Sequence, residues 1–493
     1  MKILFILLIA VIFSSCESIN LLSGNKKEKV FPKNILLNDT FIESSTYQLI
    51  DGLAKDKYGN VIVTGQVDGT LKSGFVTGAK DVFINKMAQD GSLIWSVILN
   101  DNYPQINDSS SNETARSVYI DNASNSIYVA GATDGNFVEN ALGADIYVAK
   151  LNFSGDLIWL KHFGEDTQDD QRTVLSNPSL DWSGDELVAY MKLSDAGRLY
   201  ISFQTTSSMF DINTTFGTKD IGIVELDISS GNIIKGFQLG QDESIPFSAN
   251  TDGIESNTSN NFDFDGTKMV IPFSTSGDLA QTSAGGYDGA YIVLDSDLNL
   301  ELIKQMGTAD YNSWAIASGY SDGDLSGSEV FRNVTVTAPG EYLIYGKTGA
   351  GSNVAEPSSG SLDILFAKFV SNNLVELKQY GQLTLPLADG SEQPRDCTRA
   401  SGVIYCALHT QADIFNSGGS GLYRPAIIKV DFDGNLLDGY RVTDSDSLSL
   451  GYSISDAMLV NEKSFIVDDG SILFSGKTYP VYTSTYIFKI DEF

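Results

Sequence analysis

The chain has 493 residues, 42% of them hydrophobic, and carries 63 acidic against 32 basic side chains for a net charge of -31. So large a negative surplus repels nucleic acid and anionic lipid, which excludes both as electrostatic partners. A single ordinary core is also excluded at this length, so several domains or a repeat must divide the residues.

The N-terminus comes first. Lys2, the unbroken apolar run Ile3 to Phe13 and the small pair Ser14-Ser15 read as a signal peptide over residues 1–15. That run is shorter than the about 20 apolar residues a permanent span requires. The ending Phe13-Ser14-Ser15-Cys16 resembles a bacterial lipobox, with Phe in place of the usual Leu. The resemblance implies that Cys16 becomes the lipidated first residue and anchors the chain through its acyl groups. Residues 16–33, with Lys26, Lys27, Glu28, Lys29 and Pro32, read as the lipidated Cys and a flexible tether, and residues 34–493 as the folded part. The address expected is a bacterial outer membrane or cell surface, outside the cytoplasm, with membrane contact through the anchor alone and a monomeric chain.

A repeat follows. Asp81 opens DVFINKM, and equivalents begin at Asp145, Asp220, Asp288, Asp363, Arg424 and Ser484, at intervals of 60 to 75 residues. Each is a short alternating or β-branched run bounded by Gly, Asp and Asn, the pattern of a strand. A second strand precedes each, ending on Gly65, Gly131, Gly346 and Gly476 in four copies. A tight turn and a further strand lie before that; a fourth strand, such as LIWSVIL from Leu93, follows a turn such as Asp90-Gly91. Four antiparallel strands repeated seven times predict an all-β, seven-bladed β-propeller of four-stranded blades. The seventh copy lacks its fourth strand, and the unpartnered segment Asn34 to Asn38 is expected to supply it and close the ring.

The strings D-x-x-G-N-V-x-V-T-G, G-x-x-D-V-F-I-x-K and D-G-x-L-I-W-S, read between residues 56 and 96, resemble the bacterial propeller repeat known as the SBBP repeat. Residues 127–131, 145–150 and 157–159 match nearly as well, and later copies less. The resemblance implies a secreted or surface-exposed propeller and brings little function with it. Quinone-cofactor propellers and the propeller lipoprotein of outer-membrane assembly share a similar G-x-L-x-W strand. Only Trp95 and Trp159 occupy that Trp position here, with Lys235, Leu302 and Glu376 at the equivalents.

No nucleophile elbow, zinc-protease helix or phosphate loop is present, and His162 and His409 have no ligand-spaced neighbours. The chain is therefore expected not to be an enzyme, with a carboxylate-based hydrolase or lyase in the central funnel as the alternative. Cys397 and Cys406 sit symmetrically about the Ser401-Gly402 turn, where a hairpin places them opposite one another, so a disulfide is expected in an exported chain. Asp322, Asp324 and Ser326, with Gly327 sixth, resemble the start of a calcium loop whose twelfth position is Asn333 instead of Glu; calcium is the one cofactor suggested.

The second-to-third loops and the crossings between blades carry the added length, and both fall on one face of a propeller. Residues 165–185 hold Asp169, Asp170 and Trp182, and Trp314 lies in another crossing. Variable loops on a rigid scaffold are where binding concentrates. The expectation is an acidic recognition face for a protein or glycan, with these residues as contacts.

Overall fold

The computed structural model describes residues 35–36, 42–71, 80–99, 112–134, 144–163, 186–206, 209–210, 220–239, 254–255, 261–276, 279–280, 287–306, 329–349, 360–380, 390–411, 422–442, 457–468, 471–479 and 485–491. Among them every regular element is a β-strand. The first blade is β2 (Ile42–Lys55), β3 (Val61–Leu71), β4 (Asp81–Met87) and β5 (Leu93–Ile98), hydrogen-bonded in that order. The next two repeat the order with β6 (Glu113–Asp121), β7 (Ser126–Thr133), β8 (Asp145–Asn152) and β9 (Leu157–Phe163), then β10 (Glu186–Leu193), β11 (Leu199–Thr205), β12 (Asp220–Leu226) and β13 (Ile233–Leu239). In the following sheet the first strand is split into β14 (Ile254–Glu255) and β15 (Asp263–Asp265), both pairing with β16 (Lys268–Thr275), which is followed by β17 (Asp288–Leu294) and β18 (Leu300–Met306).

The next sheet holds eight strands: β19 (Glu329–Ala338), β20 (Glu341–Gly349), β21 (Gly360–Val370) and β22 (Asn373–Tyr380), with β23 (Gly390–Ala400), β24 (Val403–Thr410), β25 (Arg424–Val430) and β26 (Leu436–Arg441). The last comprises β27 (Ala457–Asp468), β28 (Ser471–Tyr479), β29 (Thr485–Asp491) and the short β1 (Ile35–Leu36), which pairs antiparallel with β29, Ile35 opposite Ile487. The count is thus six sheets where the repeat predicts seven separate ones. The physical reason is a short parallel ladder: Gly360 and Leu362 of β21 pair with Gly390 and Ser391 of β23, so two successive groups of four share one sheet.

Hydrophobic layers lie between successive groups. Ile62, Val82 and Ile84 pack on Ile127, Val129 and Leu151, and Val188, Ile201 and Val224 on Tyr128, Ala130 and Val148. The last group meets the first in the same way, with Leu473 and Ile487 against Ile50, Val63 and Phe83. Strands third in order are covered on both faces, and all seven residues of β4, β12 and β17 are buried. Fourth strands begin exposed and end buried, as β5 and β18 do. First strands contact their counterparts in neighbouring groups: β2 meets β6 and β27, and β23 meets β19 and β27. They therefore line the axis, and the chain is an all-β propeller of four-stranded antiparallel blades.

Candidate functional site on the propeller axis

The blade ends explain most of the repeated residues. At the short-turn end, Asp56 Oδ1 accepts from the backbone N–H groups of Tyr58 and Asn60 at 2.9 and 2.8 Å, and Gly59 takes a φ of 85°. Asp56 also receives Lys86 Nζ at 2.9 Å, both side chains being buried. Burial alone would raise the Asp56 carboxyl, but hydrogen bonds from Asn60 and Lys86 outweigh it and hold the group below its ordinary range. Trp95 Nε1 and Lys86 Nζ donate to Phe153 O in the next blade at 3.1 and 3.3 Å, and Trp159 Nε1 and Lys150 Nζ do the same to Ile228 O at 3.3 and 2.7 Å. The two repeat tryptophans are docking residues between blades.

At the other end, the aspartates that open third strands are buried latches. Gln238, Gln305 and Gln379 donate Nε2 to Asp220, Asp288 and Asp363 at 2.7, 2.8 and 2.6 Å. Gln238 and Gln305 each turn Oε1 to loop N–H groups, of Phe210 and of Leu279 and Ala280. In the second blade His162 takes the glutamine's place, its Nε2 2.9 Å from Asp145 Oδ2. In the sixth group Arg424 and Arg441 hold the two positions, both buried.

Several sequence-predicted residues fall elsewhere. Cys16, Asp169, Asp170, Trp182, Trp314, Asp322, Asp324 and Ser326 lie outside the described residues. Asn333, the twelfth position counted from Asp322, lies inside β19 with a fully buried side chain. Cys397 and Cys406 are cross-strand partners on β23 and β24, joined by a disulfide.

The axis shows a site that the sequence reading missed. Where first strands run along it, a β-bulge interrupts the ladder at one level in five blades, leaving Asp51, Arg116, Ala189, Arg332 and Arg395 between paired neighbours. Beyond that level, toward the short turns, β10, β15, β19 and β23 surround a cavity of about 360 Å³. Its walls include Tyr190, Phe264, Lys192, Asp263, Thr335 and Arg399. Asp263 Oδ1 takes Lys192 Nζ at 2.5 Å and its Oδ2 takes the backbone N–H of Val336 at 2.8 Å. Arg399 donates Nη1 to Val336 O at 3.2 Å and stacks over Phe432 at 4.7 Å. Burial, with Asp396 and Asp263 near by, pushes the Tyr190 phenol far above its ordinary value, so it remains a neutral hydroxyl. Cys397 of the disulfide also lines the cavity. Aromatic faces, a held ion pair, hydroxyls and a guanidinium around one small space are the parts of a polar-ligand site. A sequence signal existed in the apolar–x–polar triplets Phe331-Arg332-Asn333 and Pro394-Arg395-Asp396, which read as ordinary strand without the register.

No family model matches the chain, and no curated protein matches it. Among solved structures it is similar to the β-propeller domain of the Trilobed protease from Pyrococcus furiosus, at 10% identity and a TM-score of 0.42, over 91% of this chain and 95% of that one. It is similar to an ulvan lyase bound to -[GlcA(1-4)Rha3S]-, at 8% identity and 0.47, over 91% and 96%. An exo-β-1,3-galactanase from Clostridium thermocellum matches at 11% identity and 0.34, over 90% and 92%. At these values the likeness assigns no activity to the chain. The expectation that the chain is not an enzyme is withdrawn, the similar structures including a lyase and a galactanase.

Proposed function

We propose that the protein is an exported, lipid-anchored β-propeller that holds a small polar ligand of about saccharide size on its axis. The axial cavity carries this reading: four inner strands from different blades converge on it with aromatic and charged side chains, and its volume lies in the range of small-molecule sites. Tyr190, Lys192 and Asp263 are also groups able to move protons, so turnover is to be assayed together with binding. The long acidic loops, with Asp169, Asp170, Trp182 and Trp314, are the proposed surface for a protein or glycan partner. The ring is read as seven blades of SBBP type, the eight-stranded sheet counting as two. Closure through the N-terminal segment is supported by the pairing of Ile35 and Leu36 with β29.

Thermal-shift and calorimetric titrations against neutral and acidic mono- and disaccharides, nucleosides and amino acids, with product analysis on every hit, test the proposal. At least one class should raise Tm, and Lys192→Ala with Arg399→Ala should abolish the rise. A shift that survives in that folded double variant, or none with any class, sinks it. Labelling with a radiolabelled fatty acid tests the anchor, which fails if Cys16→Ser labels as well as wild type.

A further inference from the structure

We infer that the cleft between the β2–β3 turn and the end of β27 is a second ligand site, which takes a neutral pyranose unit of a glycan. Tyr58 is its stacking surface, and Gln89, Asn122 and Lys57 are its polar contacts. The inference goes beyond the axial-ligand reading and rests on none of the residues that line the axial cavity.

The repeat does not account for Tyr58. The residue before the turn glycine is Ala196, Asp265, Pro339 and Ser401 in four other blades, all smaller than tyrosine. Tyr58 is 62% exposed, more than any other large hydrophobic side chain among the described residues. It is nevertheless held. Its N–H donates to Asp56 Oδ1 at 2.9 Å, its carbonyl accepts from Gln89 Nε2 at 3.0 Å, and its ring meets Phe153 edge-on at 6.4 Å. Gly59 lets Gln89 lie this close, since a Cβ there would stand 2.0 Å from Nε2. An aromatic face fixed in this way loses little entropy when a ligand stacks on it.

Beside the ring opens a cleft of about 600 Å³, a volume in the range of small-molecule sites, with Ile466 and Val467 of β27 as an aliphatic wall. Two amides on its lining are each pinned by one atom and offer the other. Asn122 Oδ1 accepts from Lys57 N at 2.8 Å, which leaves Nδ2 as a donor without a partner among the described residues. Gln89 spends Nε2 on Tyr58 O, which leaves Oε1 as an acceptor in the same condition. Both orientations are fixed by the partner, because an N–H requires the oxygen and a carbonyl the nitrogen. Lys57 Nζ donates to Asn122 O at 2.9 Å and lies 5.5 Å from the Tyr58 ring centre, with N–H groups to spare. The one carboxylate on the lining, Asp56, is spent on its own turn and on Lys86. A donor, an acceptor and an ammonium beside an aromatic face complement a pyranose, which presents C–H groups on one face and hydroxyls around its edge. A nucleobase could stack on the same ring, but the net charge of -31 turns a polyanion away.

The test titrates the full mature chain with maltose, cellobiose, xylobiose and chitobiose, by calorimetry and by saturation-transfer NMR. Saturable binding of at least one disaccharide is expected, with Kd about millimolar for a site with a single stacking ring. Tyr58→Ala should weaken it at least about tenfold, and Tyr58→Phe should keep it within about twofold, because the ring and not the hydroxyl makes the contact. Gln89→Ala and Asn122→Ala, both at exposed positions, should each weaken it about threefold to tenfold. Wild-type protein that binds none of the four overturns the inference, as does binding that is unchanged in Tyr58→Ala or lost in Tyr58→Phe. Binding that is kept in Tyr58→Ala but lost in the Lys192→Ala and Arg399→Ala double variant belongs to the axial cavity, and removes this inference alone. Reading the axial titrations in the Tyr58→Ala background keeps either site from answering for the other.

Discussion

Asp56 and Asp363 occupy opposite ends of a blade and use the same carboxyl in opposite ways. Asp56, at the short turns, is held below its ordinary range by Asn60 and Lys86 against the effect of burial. Asp363, at the loop end, is raised by burial, and the hydrogen bond from Gln379 only partly offsets the rise. One end stabilises the ring with a paired charge, and the other with a desolvated polar latch that would be better off neutral. The repeat letter "Asp" therefore carries two kinds of energetics, and only neighbours across the sheet tell them apart.

The largest effect should come from breaking the charged end. Lys86→Met strands the buried Asp56 carboxylate and should cost about 3–5 kcal/mol in urea unfolding. Its stability should also fall less steeply in acid, because a depressed aspartate stabilises above its unfolded value near 3.9 and loses that contribution as pH drops through its folded value. A variant within experimental error of wild type would remove the distinction between the two ends. Next comes the disulfide, whose two cysteines are nine residues apart. Reducing it should cost about 2.5 kcal/mol on the chain-entropy account, and thiol titration of the denatured, unreduced protein should find neither Cys397 nor Cys406 reactive. Gln379→Ala, which removes the partner of Asp363, should cost about 1–3 kcal/mol at neutral pH and less in acid. The smallest change sharpens the contrast most. Because a raised carboxyl contributes stability below its unfolded value and loses it as pH rises through the folded one, Asp363→Asn should be neutral or stabilising at pH 7. Asp56→Asn should destabilise at the same pH, and equal behaviour of the two would refute the comparison.

The strands third in order were legible because they are buried on both faces, which leaves Asp145 to Leu151 or Asp220 to Leu226 as dense apolar runs with a polar opening residue. The cysteine pair was legible from hairpin symmetry alone. The parallel ladder of Gly360 and Leu362 with Gly390 and Ser391 was not, since two register pairs between distant segments leave no periodicity. Arg332 and Arg395 were hidden for a related reason: a bulge shifts alternation by one residue, and a lone Arg in a strand reads as an outward-facing charge. Motif strings also say nothing of the axial cavity, whose lining is contributed by single residues of several blades.

The shared ladder between β21 and β23 has a mechanical consequence. Other junctions are crossed by isolated backbone bonds, such as Glu113 N to Lys80 O and Glu329 N to Tyr287 O, whereas the two register pairs of a parallel ladder tie β21 to β23 and make that junction stiffer. Twisting motions of the ring should therefore pivot about this rigid joint, which is also the seam that holds Arg332, Arg395 and the axial disulfide. Slow amide exchange extending across Gly390 and Ser391, against faster exchange at the entry to the other first strands, would reveal that uneven compliance.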